Sequence, residues 1–442
     1  MTTQPVEDIV LDIALRMSDP DSVRKFMLDP SNSNPYPFVH NKIAWQNLSL
    51  AGGYPGMVLL FNALERNGLV KGEIVHHYIL KIKEAIEDEG FVNPSLFNGI
   101  CGACFALQAA SMDGMRYQRM LQNIQSYLLE SIESYYLEPL RTNREQNQPV
   151  FSYLHDLIQG LCGVGRYVLE NLFIPDFFEM AKKITTTLIN FTKPLQVHGH
   201  SVPGWYLSPN DTLNTWHKED SKGNFNLGLA HGIPGILAFL AIASLKGVEV
   251  KGQKETMMEI ASWIRQKSFN KNDTIRWPYS VPWELEIQKK TRDEDSKDAW
   301  CYGVPGIARA LFLAGKALED TELKSFAITA FRGVFCRTRK EWQLHGPMLC
   351  HGIAGLLMLT HEMAKEKECG DLIVKVNELK QILLSYYNSD SPFGFKDVEL
   401  STQGNVEISK AGFLEGSAGV LLTLLSTSDQ NFKWHLPLMI SS

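Results

Sequence analysis

The sequence predicts an all-α chain folded as an α/α toroid, a double ring of seven inner and seven outer helices with a small inserted β-rich subdomain. Two observations lead there. A Gly-x-x-Gly step opens an apolar run seven times, and amphipathic segments alternate with those runs. The steps are Gly53-Tyr-Pro-Gly56, Gly99-Ile-Cys-Gly102, Gly160-Leu-Cys-Gly163, Gly232-Ile-Pro-Gly235, Gly303-Val-Pro-Gly306, Gly352-Ile-Ala-Gly355 and Gly416-Ser-Ala-Gly419. Consecutive copies lie 46, 61, 72, 71, 49 and 64 residues apart, which is room for two helices and their connections.

The runs from Met57, Ile236, Ile307 and Val420 are apolar nearly all round, the mark of a helix buried on several sides. Glycines at their start allow a sharp turn and a close approach of neighbouring helices. Pro55, Pro234 and Pro305 fall in the first turn, where a missing N–H costs no hydrogen bond. The intervening segments have one apolar face only. Met120, Leu121, Ile124, Tyr127, Leu128 and Tyr135 recur at helical spacing, as do Ile373, Val376, Leu379, Ile382, Leu383 and Tyr386. Helices of such unequal burial suit an inner and an outer ring; an open solenoid would pair more similar helices. Two stretches break the pattern, residues 192–226 and 275–298, both rich in Pro and Trp. They fall in the two longest intervals and read as insertions into a single domain over 1–442, the first being the expected β-rich subdomain.

Composition narrows the function classes. The 43 basic and 49 acidic residues give a net charge of −6, and no basic tract interleaved with aromatics is present, so nucleic acid is not an expected partner. The N-terminus lacks the basic and apolar regions of a signal peptide. The longest apolar stretches, such as Ile236 to Leu245, are about half of what a bilayer requires. Seven cysteines in so long a chain do not make a disulfide framework. A cytoplasmic location is expected, compatible with peripheral attachment at the inner face of the cell membrane.

Two copies of the step carry chemistry. Cys301 lies two residues before Gly303, Cys350 lies two before Gly352, and His351 is adjacent. Equivalent positions of a repeat come out at equivalent heights, so two thiolates and an imidazole are expected to converge. Two Cys and one His suit one zinc ion with an open fourth position. A single buried cysteine is more often an inert core residue, but a pair in register beside a histidine is not. A thiolate-rich zinc site favours activating a substrate thiol over activating water. His231, one residue before Gly232, fills the slot of His351 and reads as a general acid or base. Asp156, one repeat earlier, reads as its orienting carboxylate or as a plain helix cap. Tyr302 matches His351 in register and is a candidate donor to an oxyanion. Cys101, Cys104 and Cys162 read as small core residues, and His198 and His200 as surface residues. Trp205, Trp216, Trp277 and Trp283 either line a peptide groove or pin the insertions.

The Trp300-Cys-Tyr-Gly-x-Pro-Gly306, Leu349-Cys-His-Gly352 and His231-Gly-Ile-Pro-Gly235 blocks, set in a seven-fold repeat, resemble the lanthionine synthetase C-like family over essentially the whole chain. The resemblance is nearest to its stand-alone lantibiotic cyclases of the nisin and subtilin type. It implies a zinc-dependent cyclase that adds cysteine thiolates of a dehydrated precursor peptide, leader plus core, to dehydroalanine or dehydrobutyrine. Zinc would be held by Cys301, Cys350 and His351, with His231 moving the proton and Asp156 and Tyr302 assisting. It also implies a complex with a dehydratase and an ABC exporter at the membrane. Lys297 stands where the family often has an arginine, so the charge persists without the planar two-pronged contact. Toroidal prenyltransferases and a non-catalytic zinc-containing peptide scaffold are the competing readings.

Overall fold

The computed structural model describes residues 6–35, 45–211, 213, 220–426 and 432–442. Two compact units emerge, one from Met1–Asn93, Phe97–Gln125 and Leu344–Trp434, the other from Pro94–Leu96, Ser126–Gln343 and His435–Ser442.

In the first unit, four helices follow Gly-x-x-Gly steps: Tyr54–Arg66, Ile100–Ala110, Ile353–Ala364 and Ser417–Ser426. Gly72–Glu89 packs on the first of these, Ile373–Leu384 on the third, and the N-terminal Val6–Arg16 on the last. In the second unit the step helices are Leu161–Val168, Ile233–Leu245 and Val304–Ala317. Their partners are Pro175–Thr192, Gln253–Gln266 and Thr321–Val334. Burial separates the two kinds as the pattern predicts. Every residue from Ile233 to Ala243 is buried, whereas Gln253–Gln266 buries one side only. Each Leu or Ile so buried contributes about 1.5–3 kcal/mol.

The steps share one construction. The first glycine caps the helix in six copies, at Gly53, Gly99, Gly160, Gly232, Gly303 and Gly352. At Gly56, Gly163, Gly235, Gly306 and Gly419 the second sits against the carbonyl of the residue six before it. A Cβ on Gly235 would lie 2.5 Å from the Leu229 oxygen, and one on Gly306 would lie 2.6 Å from that of Trp300. Neighbouring turns are then tied backbone to backbone. In the second unit Leu157 N–H donates to Ala230 O at 3.0 Å and Ala230 N–H to Cys301 O at 3.3 Å. In the first, Cys350 N–H donates to Leu414 O at 2.9 Å, Leu414 N–H to Ala51 O at 3.0 Å, and Ala51 N–H to Phe97 O at 3.2 Å. Equivalent repeat positions therefore do stand side by side within each unit.

The β content is small sheets only. Among the described residues of 192–226, Leu195–Val197 pairs with His200–Val202, while Asn224–Asn226 pairs outside the stretch with Ser280–Pro282. Strands of three residues cannot bury a face of their own. The described part of the stretch thus holds one hairpin and a Leu207–Asn224 bridge, and its last strand is stitched to the second insertion. Phe269–Lys271 with Thr274–Arg276 and Asp397–Ser401 with Gly404–Ile408 are two further hairpins, the second of them in the first unit. No helix among the described residues is long and apolar enough to cross a membrane.

Candidate active site and metal centre

The turn that leads into Ile233–Leu245 presents His231. The Leu157–Ala230 backbone bond sets Asp156 and His231 on either side of a shared junction. His231 Nδ1 donates to Asp156 Oδ2 at 2.6 Å. Asp156 Oδ1 accepts Gln159 N–H at 2.7 Å and Gly160 N–H at 2.8 Å. One oxygen of Asp156 therefore engages the His231 ring and the other fixes the turn before the helix, whose cap is Gly160. Asp156 is buried, and His231 keeps about a quarter of its side chain exposed (25% against 3%). Burial works against the His231 imidazolium, but the hydrogen bond and charge of Asp156, with Cys301 and Asp211 adding theirs, raise its pKa above the usual histidine range. Its neighbour His155 is different. Buried and stacked on Phe191 at 4.4 Å, it is pushed down to about 4 by desolvation and stays neutral. Of the two histidines, His231 is the one whose charged form is favoured.

Cys301 lies on the next turn of the same unit, buried, with its carbonyl receiving Ala230 N–H. Trp300 beside it donates its indole N–H to Leu438 O at 2.8 Å, so the C-terminal segment braces this turn. Gly303 has φ +100°, and a Cβ there would fall 1.7 Å from Lys297 O. Only glycine lets the chain return so closely over Lys297. Tyr302 Oη accepts from Asn226 Nδ2 at 3.0 Å, and its ring centroid lies 6.4 Å from that of His231. Lys297 N–H donates to Tyr279 Oη at 3.2 Å. Asp156, His231, Lys297, Cys301 and Tyr302 thus belong to one unit.

Cys350 and His351 belong to the other. There the donor atoms of Cys350, His351 and Glu415 lie within 4.8 Å of one another, a thiol, an imidazole and a carboxylate close enough to serve one cation. These donors fit zinc. His351 Nε2 donates to Asp397 Oδ1 at 3.3 Å. Asp397 Oδ2 accepts from Lys410 Nζ at 2.7 Å, and the same ammonium reaches Glu399 at 2.6 Å and Glu415 at 3.1 Å. Asp397, Glu399 and Glu415 also cluster tightly, but Lys410 already occupies the place a cation would take. Burial favours neutral Asp397, yet the His351 hydrogen bond and the Lys410 charge hold its pKa below the usual carboxylate range. Burial likewise opposes the Lys410 ammonium, and Glu415, Asp397 and Glu399 more than offset it, raising its pKa.

Sequence reasoning passed over Asp397, Glu399, Lys410 and Asn226. The alternation Asp397-Val-Glu-Leu-Ser followed by Thr402-Gln403-Gly404 is a hairpin signal that marks two of them. Cys101, Cys104 and Cys162 are buried core thiols. Burial pushes Cys101 and Cys162 well above the usual cysteine range. Trp205, Trp277 and Trp283 are buried and pin the insertions, with His198 and His200 edge-on to Trp283 at 5.2 and 5.4 Å. Trp216 lies outside the described residues.

Comparison with known proteins bears on the family and the fold. The family profile described as Lanthionine synthetase C-like protein matches residues 44–438. The nisin biosynthesis protein NisC of Lactococcus lactis subsp. lactis is 25% identical over 385 residues, spanning 85% of this chain and 84% of that protein. A solved structure of nisin cyclase superposes with a TM-score of 0.74 at 23% identity, covering 89% of this chain and 92% of that one. The fold class is accordingly the α/α toroid, mostly helical with small sheets only. The chain belongs to the lanthionine synthetase C-like family, and its enzymatic class is that of a lanthionine synthetase.

Proposed function

We propose that this protein is a zinc-dependent cyclase that closes lanthionine and methyllanthionine rings in a dehydrated precursor peptide. The observation that carries the reading is the His231–Asp156 pair, held on the turn bonded to that of Cys301. Family membership and the Cys350–His351 grouping support it. Cys301, Cys350 and His351 would hold the zinc ion, as their positions in the repeat suggest. Zinc bound there supplies a Lewis acid that lowers the pKa of a substrate cysteine thiol.

The protein groups then handle protons and orientation. The substrate sulfur bonds to the β-carbon of a dehydroalanine or dehydrobutyrine, the carbon–carbon π pair moves onto the α-carbon and carbonyl, and the α-carbon takes a proton. Thiol hydrogen is lost and α-hydrogen gained, so mass is unchanged. Asp156 engages Nδ1 of His231, so Nε2 is the nitrogen that exchanges the proton, and the raised pKa keeps an imidazolium available as donor. Asn226 orients the Tyr302 hydroxyl, which we assign to the enolate oxygen. Lys297 adds positive charge on the same unit and takes the place of the family's arginine.

A mixed Cys350, His351 and Glu415 donor set would also suit a prenyltransferase-type thiol alkylation. Lys410 engages Glu415, which speaks for the cyclase. The substrate class is a lanthipeptide precursor with leader and core. We extend the proposal to a cytoplasmic location, peripheral at the membrane alongside a dehydratase and an ABC exporter.

The test is incubation with a dehydrated, cysteine-containing precursor followed by thiol alkylation and mass measurement. Ring closure leaves the precursor mass unchanged while alkylatable thiols disappear. Full alkylation of every cysteine after incubation would sink the cyclase reading.

A further inference from the structure

We propose that Asp397 and Lys410 are positioning residues that lock the His351 ring so that Nδ1 is the nitrogen presented to a metal. This rests on the reading of His351 as a zinc ligand. The two residues lie on opposite sides of one hairpin. Asp397 opens the strand Asp397–Ser401, whose partner Gly404–Ile408 ends two residues before Lys410. Asp397 has no exposed side-chain surface. Its Oδ1 takes Val398 N–H at 2.9 Å as well as His351 Nε2, and its Oδ2 takes the Lys410 ammonium. A carboxylate paired with an ammonium accepts hydrogen bonds and donates none. Nε2 of His351 must then carry the hydrogen, which leaves the ring lone pair on Nδ1. Histidines that bind metals are commonly fixed in this way, through the nitrogen that does not bind.

Lys410 has a second task. With 7% of its side chain exposed, it is the buried counter-charge for three carboxylates. Asp397 and Glu399, two apart on one strand face, both reach it. Glu415 reaches it too, while standing within 4.8 Å of the Cys350 and His351 donor atoms. By engaging Glu415, the ammonium weakens that carboxylate as a competing ligand and keeps a metal position for substrate sulfur.

The test measures zinc affinity of the full-length protein by competition with a chromophoric chelator, together with the absorption spectrum after Co2+ substitution. Folding is followed by circular dichroism. Asp397→Asn preserves shape and is expected to weaken zinc binding about 10- to 100-fold and to alter the cobalt bands, with the fold intact. Lys410→Met frees Glu415 as an added ligand and should alter the cobalt bands, and Lys410→Arg should restore most of the wild-type spectrum. Wild-type affinity and an unchanged cobalt spectrum in Asp397→Asn would overturn the proposal, and this variant decides the matter even where Lys410→Met does not fold. His351→Ala separates the two levels. Loss of zinc in His351→Ala without loss in Asp397→Asn removes the positioning role alone, whereas wild-type affinity in His351→Ala removes the ligand assignment and the proposal with it.

Discussion

His231 and His351 occupy the same slot of the repeat, one residue before the first glycine of a step, and their rings are held differently. Both are about a quarter exposed, at 25% and 22%, and each is bonded to a buried aspartate. The difference is which nitrogen is held. Asp156 comes from the adjoining step turn and engages Nδ1, and its second oxygen is spent on backbone N–H groups. Asp397 comes from a hairpin strand and engages Nε2, and its second oxygen is on Lys410. One repeat position thus yields two presentations of the same ring. An unneutralised carboxylate beside His231 favours a proton carrier. A carboxylate also held by Lys410 beside His351 favours a ring fixed in one orientation.

Replacing the histidines should break this comparison most severely. His231→Ala is expected to slow ring closure by about 10²- to 10⁴-fold, measured as the rate at which alkylatable thiols disappear. Asp156→Asn sharpens it through pH. With the His231 pKa raised by Asp156, the proton-donating form persists to higher pH and is lost as pH rises through that pKa. Removing the carboxylate charge should move the alkaline limb of kcat/KM to lower pH, and an unmoved limb would separate Asp156 from the proton transfer.

The step itself comes next. Gly303→Ala combines a φ of +100° with a Cβ 1.7 Å from Lys297 O, whereas Gly199→Ala meets φ +78° with nothing within 4 Å. Denaturant unfolding should show a loss of about 2 kcal/mol or more for Gly303→Ala and about 1 kcal/mol for Gly199→Ala. The smallest effect is expected from Cys162→Ala, about 1 kcal/mol of stability with zinc content and ring closure unchanged.

The architecture was legible because it is local and repeated. Two glycines three apart, forced by a returning carbonyl, recur with an apolar run after each, and period detection needs no knowledge of distant contacts. The pairing of Asp156 with His231 was legible for the same reason, since repeat register puts their turns side by side. Asp397 and Lys410 obey no such register. They sit 46 and 59 residues beyond His351 in a hairpin that interrupts the repeat, and nothing in the step pattern says which turn the hairpin covers. Lys410 read as one lysine among many, because its burial against three carboxylates arises only once the hairpin has folded back. Within 192–226, the strand Asn224–Asn226 pairs with Ser280–Pro282, a distant partner that composition does not encode.

Metal content most directly tests the division of labour between the two histidine slots. Cys350→Ala and His231→Ala, purified side by side, should differ completely by elemental analysis: the first without zinc, the second with the wild-type complement. Zinc retained in Cys350→Ala, or lost from a folded His231→Ala, would contradict it.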